Sequence, residues 1–106
     1  MCGRFALDPE ELFERFRVNN SLEGLLPHYN ISRGQTQPVV LSEPQGYKLE
    51  LMRWGLIPHW AKEERIGYKM INARAETVAL KPSFKASFLH KRCLVPAIGF
   101  YEWTKE

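Results

Sequence analysis

The amino-acid sequence predicts an α+β fold with a largely antiparallel sheet and two or more short helices. Three observations lead there. One segment carries a complete helix-start signal, two apolar runs flank a Pro/Gly turn, and strands and helices do not alternate in the βαβ manner that builds parallel sheets. With 106 residues, 44% of them hydrophobic, the chain has the material for one small domain with little surplus core.

In chain order, "LDPEELFERFRV" is the clearest helix. Asp8 suits the N-cap, Pro9 the first helical position and Glu11 a capping-box-like position, while Leu12, Phe13 and Phe16 form an apolar face at helical spacing. "NNSLEGLLPHYNISRGQTQ" is rich in Asn, Ser, Gly and Gln and reads mostly as loop. "PVVLSE" is a short strand and "EPQGY" a turn. "YKLELMRW" is a second strand, with Tyr47, Leu49 and Leu51 on one face and Lys48 and Glu50 on the other, so the two strands form a hairpin. "WGLIPHWAKEERIGYKMINARAET" is mostly irregular, and long structured loops of this kind often carry function. "KPSFKASFLHK" fits a helix starting near Pro82 with Phe84, Phe88 and Leu89 inward. "RCLVPAIGFYEW" reads as a buried strand, a bend and a second strand.

Composition narrows the function classes. No apolar run approaches the ~20 residues that cross a membrane, and no basic segment followed by an apolar stretch opens the chain, so neither a membrane partner nor a secretory signal is expected. Cys2 and Cys93 are the only cysteines and lack CxxC spacing. That pattern speaks against a disulfide framework or a thiolate zinc site and for a reducing compartment. His28, His59 and His90 lie in separate segments without metal-ligand spacing, and no Gly-rich phosphate loop is present, so no metal and no cofactor is expected. A net charge of +3 is compatible with a polyanionic partner.

The chemistry-bearing candidates begin at Cys2. Once Met1 is removed, this residue carries both a free α-amine and a thiol. An α-amine has a reference pKa near 8, so part of it is nucleophilic at pH 7. Amine and thiol on one residue capture aldehydes: the amine forms a Schiff base and the thiol closes a thiazolidine ring on the same carbon. Thiol-only chemistry remains open, as does an ordinary small residue behind Met1. Arg4 adds positive charge nearby. Asn72, in "MINARAET", has an amide able to orient a substrate oxygen, or it is a plain turn former. Arg74 would share a face with Asn72 in an extended segment and could clamp a phosphate, or form a surface ion pair. Glu102, between Tyr101 and Trp103 in "GFYEW", reads as a partly desolvated carboxylate suited to acid/base work, or as an exposed strand residue. "RWGLIPHW" sets two tryptophans around an apolar stretch, either as a ledge for stacking bases or as core.

Taken together, "MCGRF", "YNIS" followed by Arg-Gly, "RWGLIPHW", "INARAET" and "GFYEW" resemble the SOS-response-associated peptidase (SRAP) family of abasic-site processing proteins, in the family's order along the whole chain. The resemblance implies an α+β fold around a barrel-like antiparallel sheet, with residues 1–106 forming the N-terminal part of a single SRAP domain. It implies abasic sites in single-stranded DNA as the partner, shielded by a thiazolidine crosslink through Cys2 after loss of Met1. Asn72 then matches the asparagine that positions the sugar, and Glu102 the glutamate that assists Schiff-base chemistry. Arg4 and Arg74 match the arginines facing DNA phosphates, and Trp54, Pro58 and Trp60 fall where the family lines its DNA groove. The alternatives are a non-covalent single-stranded DNA-binding fragment and a thiol peptidase acting on its own N-terminus. Family members run to about twice this length and carry a catalytic histidine in their second half, which none of His28, His59 or His90 matches. A dimer or a complementing C-terminal fragment is therefore expected to cover the open sheet edge. The expected location is the cytoplasm in a bacterium or the nucleus in a eukaryote.

Overall fold

The structure, a computed structural model, describes residues 2–104; Met1, whose removal the aldehyde chemistry needs, lies outside the described residues. The architecture is α+β and both sheets are antiparallel, as the sequence predicts. Strand β1 (Arg4–Leu7) is the centre of a three-stranded sheet ordered β2–β1–β5, with β2 spanning His28–Ser32 and β5 Gly99–Phe100. Strands β3 (Thr36–Glu43) and β4 (Gly46–Arg53) form the hairpin expected around "EPQGY".

Helix α1 (Pro9–Phe16) begins as read: the Asp8 carboxylate accepts from the Glu10 amide at 3.1 Å, and Pro9 opens the helix. Arg17, in the left-handed region at φ 47°, ends it. Leu12 is buried with Val40 and Leu49, and Phe13 and Phe16 pack around them, so the helix docks on the hairpin through the face its spacing prescribes. Asn20 then continues the edge of β4 with its side chain, accepting from the Leu49 amide at 2.7 Å and donating to the Leu49 carbonyl at 3.0 Å. Losing the N-cap bond in Asp8→Ala is expected to cost about 1 kcal/mol. Thermal unfolding should show it as a fall of roughly 5 °C.

Four expectations are corrected. The stretch read as loop contains β2, in which only Ile31 is buried; a single inward residue gives no periodicity to detect. The "buried strand" in "RCLVPAIGFYEW" is one bridge, Val40 to Leu94, and Leu94 and Val95 stand more than half exposed, because no element among the described residues covers them. The helix near Pro82 forms as α2 (Lys85–His90), with Phe84 and Phe88 half-buried but Leu89 exposed. The two sheets do not close into a barrel. The β5 partnership is only two residues long, and the hairpin is joined to the segment before β5 by the single bridge between Val40 and Leu94 among the described residues. No helix among the described residues is long and apolar enough to cross a membrane.

Candidate functional site

Cys2 is held from three directions. From three residues behind it, Phe5, Ala6 and Leu7 are buried, so β1 anchors this end of the chain in the core. Cys2 itself is half-buried against the Phe5–Leu7–Ile31 cluster, and Trp54 joins the same cluster. Its thiol donates to the Arg4 carbonyl at 3.4 Å, and its own carbonyl accepts from the Asn72 Nδ2 at 2.8 Å. A chain terminus would ordinarily fray; here a side chain 70 residues away fixes its backbone.

The irregular segment that delivers Asn72 is ordered by tryptophan and glycine. The Trp54 indole donates to the Ile71 carbonyl at 3.0 Å, and its ring meets Phe5 edge-on with centroids 5.3 Å apart. The Leu56 amide donates to the Met70 carbonyl at 3.0 Å. Between them Gly55, at φ 132°, lies against Gly67 in the 3₁₀ turn Glu64–Lys69; a Cβ on Gly55 would sit 2.4 Å from the Gly67 carbonyl oxygen. This close approach of two backbones needs glycine.

Arg4 and Trp54 thus join Cys2 and Asn72 in one place. Arg4 is exposed and donates through Nη1 to Asn30 Oδ1 at 2.9 Å, while its carbonyl also accepts from the Tyr101 amide at 3.0 Å. That bond brings the C-terminal segment to the same end of β1. The paired register ends at Phe5 opposite Phe100, and Glu102 lies two residues beyond it, just past Tyr101. Glu102 is exposed, and its neighbours Tyr101 and Trp103 are 48% and 86% exposed, so these two rings do not enclose the carboxylate. Arg74 is exposed at the start of the turn over 74–81, whereas Asn72 is half-buried. The "RWGLIPHW" stretch divides: Trp54 turns inward, Pro58 is buried, and Trp60 is 52% exposed. His28 lies near Gln37 at the Leu7 end of β1, opposite to Cys2.

A cleft of about 410 Å³ opens beside Cys2, lined by Gly3, Arg4, Ser32, Arg33, Tyr68 and Ile71. Arg33 and Tyr68 carry no signal of their own in the sequence. An arginine in a Ser-Arg-Gly turn looks like any surface residue, and only the fold brings Tyr68 over it, with Arg33 Nη1 donating to the Tyr68 carbonyl at 3.0 Å. Among the described residues no group of three or more His, Cys, Asp or Glu side chains could hold a metal ion. Burial pushes the Cys93 thiol above its ordinary value, which leaves it less thiolate at neutral pH.

The site thus defined is an antiparallel α+β fold in which an Asn-Ala-Arg segment is hydrogen-bonded to the Cys-Gly-Arg-Phe segment leading into β1. The chain belongs to the SOS response associated peptidase (SRAP) family, whose model matches residues 1–106. It is 48% identical over 109 residues to the abasic site processing protein YoqW of Bacillus subtilis, covering 99% of this chain and 49% of that one. With YobE of the same organism, also an abasic site processing protein, the identity is 47% over 109 residues, 99% of this chain and 50% of that one. The abasic site processing protein HMCES of Xenopus tropicalis is 42% identical over 92 residues, 76% of this chain and 28% of that one. The chain spans about half the length of the Bacillus relatives it matches.

Proposed function

We propose that this chain captures abasic sites in single-stranded DNA and shields them as a thiazolidine protein–DNA crosslink through Cys2, after removal of Met1. The observation that carries the reading is the bond from Asn72 to the Cys2 carbonyl, which holds the reactive residue still beside a cationic cleft. The relatives' names, each an abasic site processing protein, support it.

The α-amine of Cys2 adds to the open-chain aldehyde of the abasic deoxyribose, and loss of water gives an imine. The thiol then adds to the imine carbon, its proton passes to the nitrogen, and the five-membered ring closes. Asn72 fixes the backbone of the reacting residue and orients the sugar. Glu102, next to Tyr101 whose amide donates to the Arg4 carbonyl, assists proton transfer during imine formation, a role typically worth ~10²–10⁴-fold. Arg4 and Arg74 neutralise phosphates, Trp60 offers a stacking face, and Trp54 with Pro58 shapes the groove from within. In this reading the 106 residues form the N-terminal part of one SRAP domain, working where cellular DNA is held. The exposed apolar side chains of Leu94, Val95, Ile98 and Phe100 are where a complementing second half, or a second copy, packs.

Intact mass after incubation with a single-stranded oligonucleotide bearing one abasic site tests this. A Met1-free chain is expected to gain the mass of the oligonucleotide less one water and to keep it on heating. A folded, Met1-free chain that binds the oligonucleotide yet never gains that mass would leave non-covalent binding as its activity. Asn72→Ala is expected to slow adduct formation about tenfold or more by freeing the terminus, measured as the initial rate at saturating oligonucleotide.

A further inference from the structure

We propose that the cleft beside Cys2 is a nucleotide subsite, in which Arg33 joins Arg4 on a backbone phosphate of single-stranded DNA and Tyr68 stacks on the adjoining base. The inference rests on the abasic-site reading and adds Arg33, Tyr68 and Gly3 to it. The lining holds two guanidiniums and no carboxylate. Each guanidinium is oriented by a neutral oxygen, Asn30 Oδ1 for Arg4 and the Tyr68 carbonyl for Arg33. Neither partner is a carboxylate, and each guanidinium has further N–H donors in the planar fork that fits a phosphate.

Tyr68 is a fixed platform. The Arg53 guanidinium carbon lies 5.6 Å from its ring centroid, and Arg53 is itself paired with Glu64 at 3.3 Å. The ring rests on Gly34, where a Cβ would come within 2.6 Å of it. Tyr68, 44% exposed as a residue and already held in place, loses little rotamer freedom when a base stacks on its ring.

Gly3 supplies an independent argument. It is not among the glycines with positive φ, and a Cβ there would meet nothing within 4 Å. The fold therefore does not require glycine at this position. The open space in front of it belongs to the cleft, so the missing side chain leaves room for a ligand against the backbone next to Cys2.

Fluorescence anisotropy of an undamaged oligo-dT strand, titrated over a range of salt concentrations, tests the subsite. Arg33→Gln is expected to weaken binding about tenfold and to lower the log–log salt slope by roughly 0.7, one phosphate contact. Arg33→Lys should keep the slope and lose part of the affinity. Tyr68→Leu should weaken binding about fivefold or more with the slope unchanged. Gly3→Val should weaken binding with its melting temperature unmoved. Lys48→Gln, the same charge loss on the distant hairpin, is the control. If the wild-type chain binds and Arg33→Gln matches Lys48→Gln in affinity and slope, the subsite is refuted while the abasic-site reading stands. If the wild-type chain does not bind single strands at all, both fall.

Discussion

Cys2→Ser is expected to lose the heat-stable DNA adduct altogether, a fall of several orders of magnitude, while still binding the strand. Removing a nucleophile typically costs this much, but the reasoning here is more specific. Serine at position 2 is small enough for Met1 to be removed, so the α-amine survives and can form an imine. That imine hydrolyses on heating, because the hydroxyl is a much weaker nucleophile toward the imine carbon than the thiol. Cys2→Ala should behave the same way, and borohydride should trap the imine in both variants. A chain that retains Met1 should give neither product, since its residue 2 nitrogen is an amide. Cys93 cannot substitute, because it has no free α-amine to share the carbon. A durable, reductant-free adduct on Cys2→Ser would remove the thiazolidine from the mechanism.

What the sequence disclosed about this site was chemistry, and what it hid was assembly. Cys2 and Asn72 announce themselves by residue type and setting. Their meeting depends on Trp54 reaching Ile71 and Leu56 reaching Met70, contacts that no local pattern encodes. The same division runs through the fold. Helix α1 and the β3–β4 hairpin were legible because Asp8-Pro9 and Pro44 through Gly46 are local signals that act within a few residues. Strand β2 was not, because it exists only through pairing with β1 and turns Ile31 alone inward. The segment around Leu94, Val95 and Ile98 misled for the opposite reason. Its composition is that of a core strand, yet these side chains stand about half exposed. Apolar composition records what a segment is suited to bury against and says nothing of whether that neighbour is present. Arg33 and Tyr68 were invisible because charge and aromaticity on a loop are ordinary until the fold sets them in one cleft with Gly3 and Arg4.

The largest stability effect is expected from Gly55→Ala, and two other glycines show why. Gly24→Ala should cost about 1 kcal/mol, because Gly24 sits at φ 75° with nothing within 4 Å of a Cβ, leaving backbone strain as the only penalty. Gly3→Ala should be within about 0.5 kcal/mol of neutral, as Gly3 has neither strain nor a neighbour. Gly55 has both: φ is 132°, and the new methyl would lie 2.4 Å from the Gly67 oxygen and 2.9 Å from its carbonyl carbon. Gly67 cannot retreat freely, for its carbonyl accepts from the Met70 amide and Met70 in turn holds Leu56. Strain and clash together should cost about 3 kcal/mol. That corresponds to a fall in melting temperature of roughly 12–24 °C, against about 5 °C for Gly24→Ala. The consequence reaches the site, because separating these two backbones shifts the segment that carries Ile71 and Asn72 and so loosens the clamp on Cys2. Adduct formation by Gly55→Ala should therefore be slower than wild type even well below its melting temperature, whereas Gly24→Ala should react at the wild-type rate. Equal melting temperatures for the two variants would mean that the Gly55–Gly67 contact yields at no cost. The ordering of the Asn72 segment would then have to come from Trp54 alone.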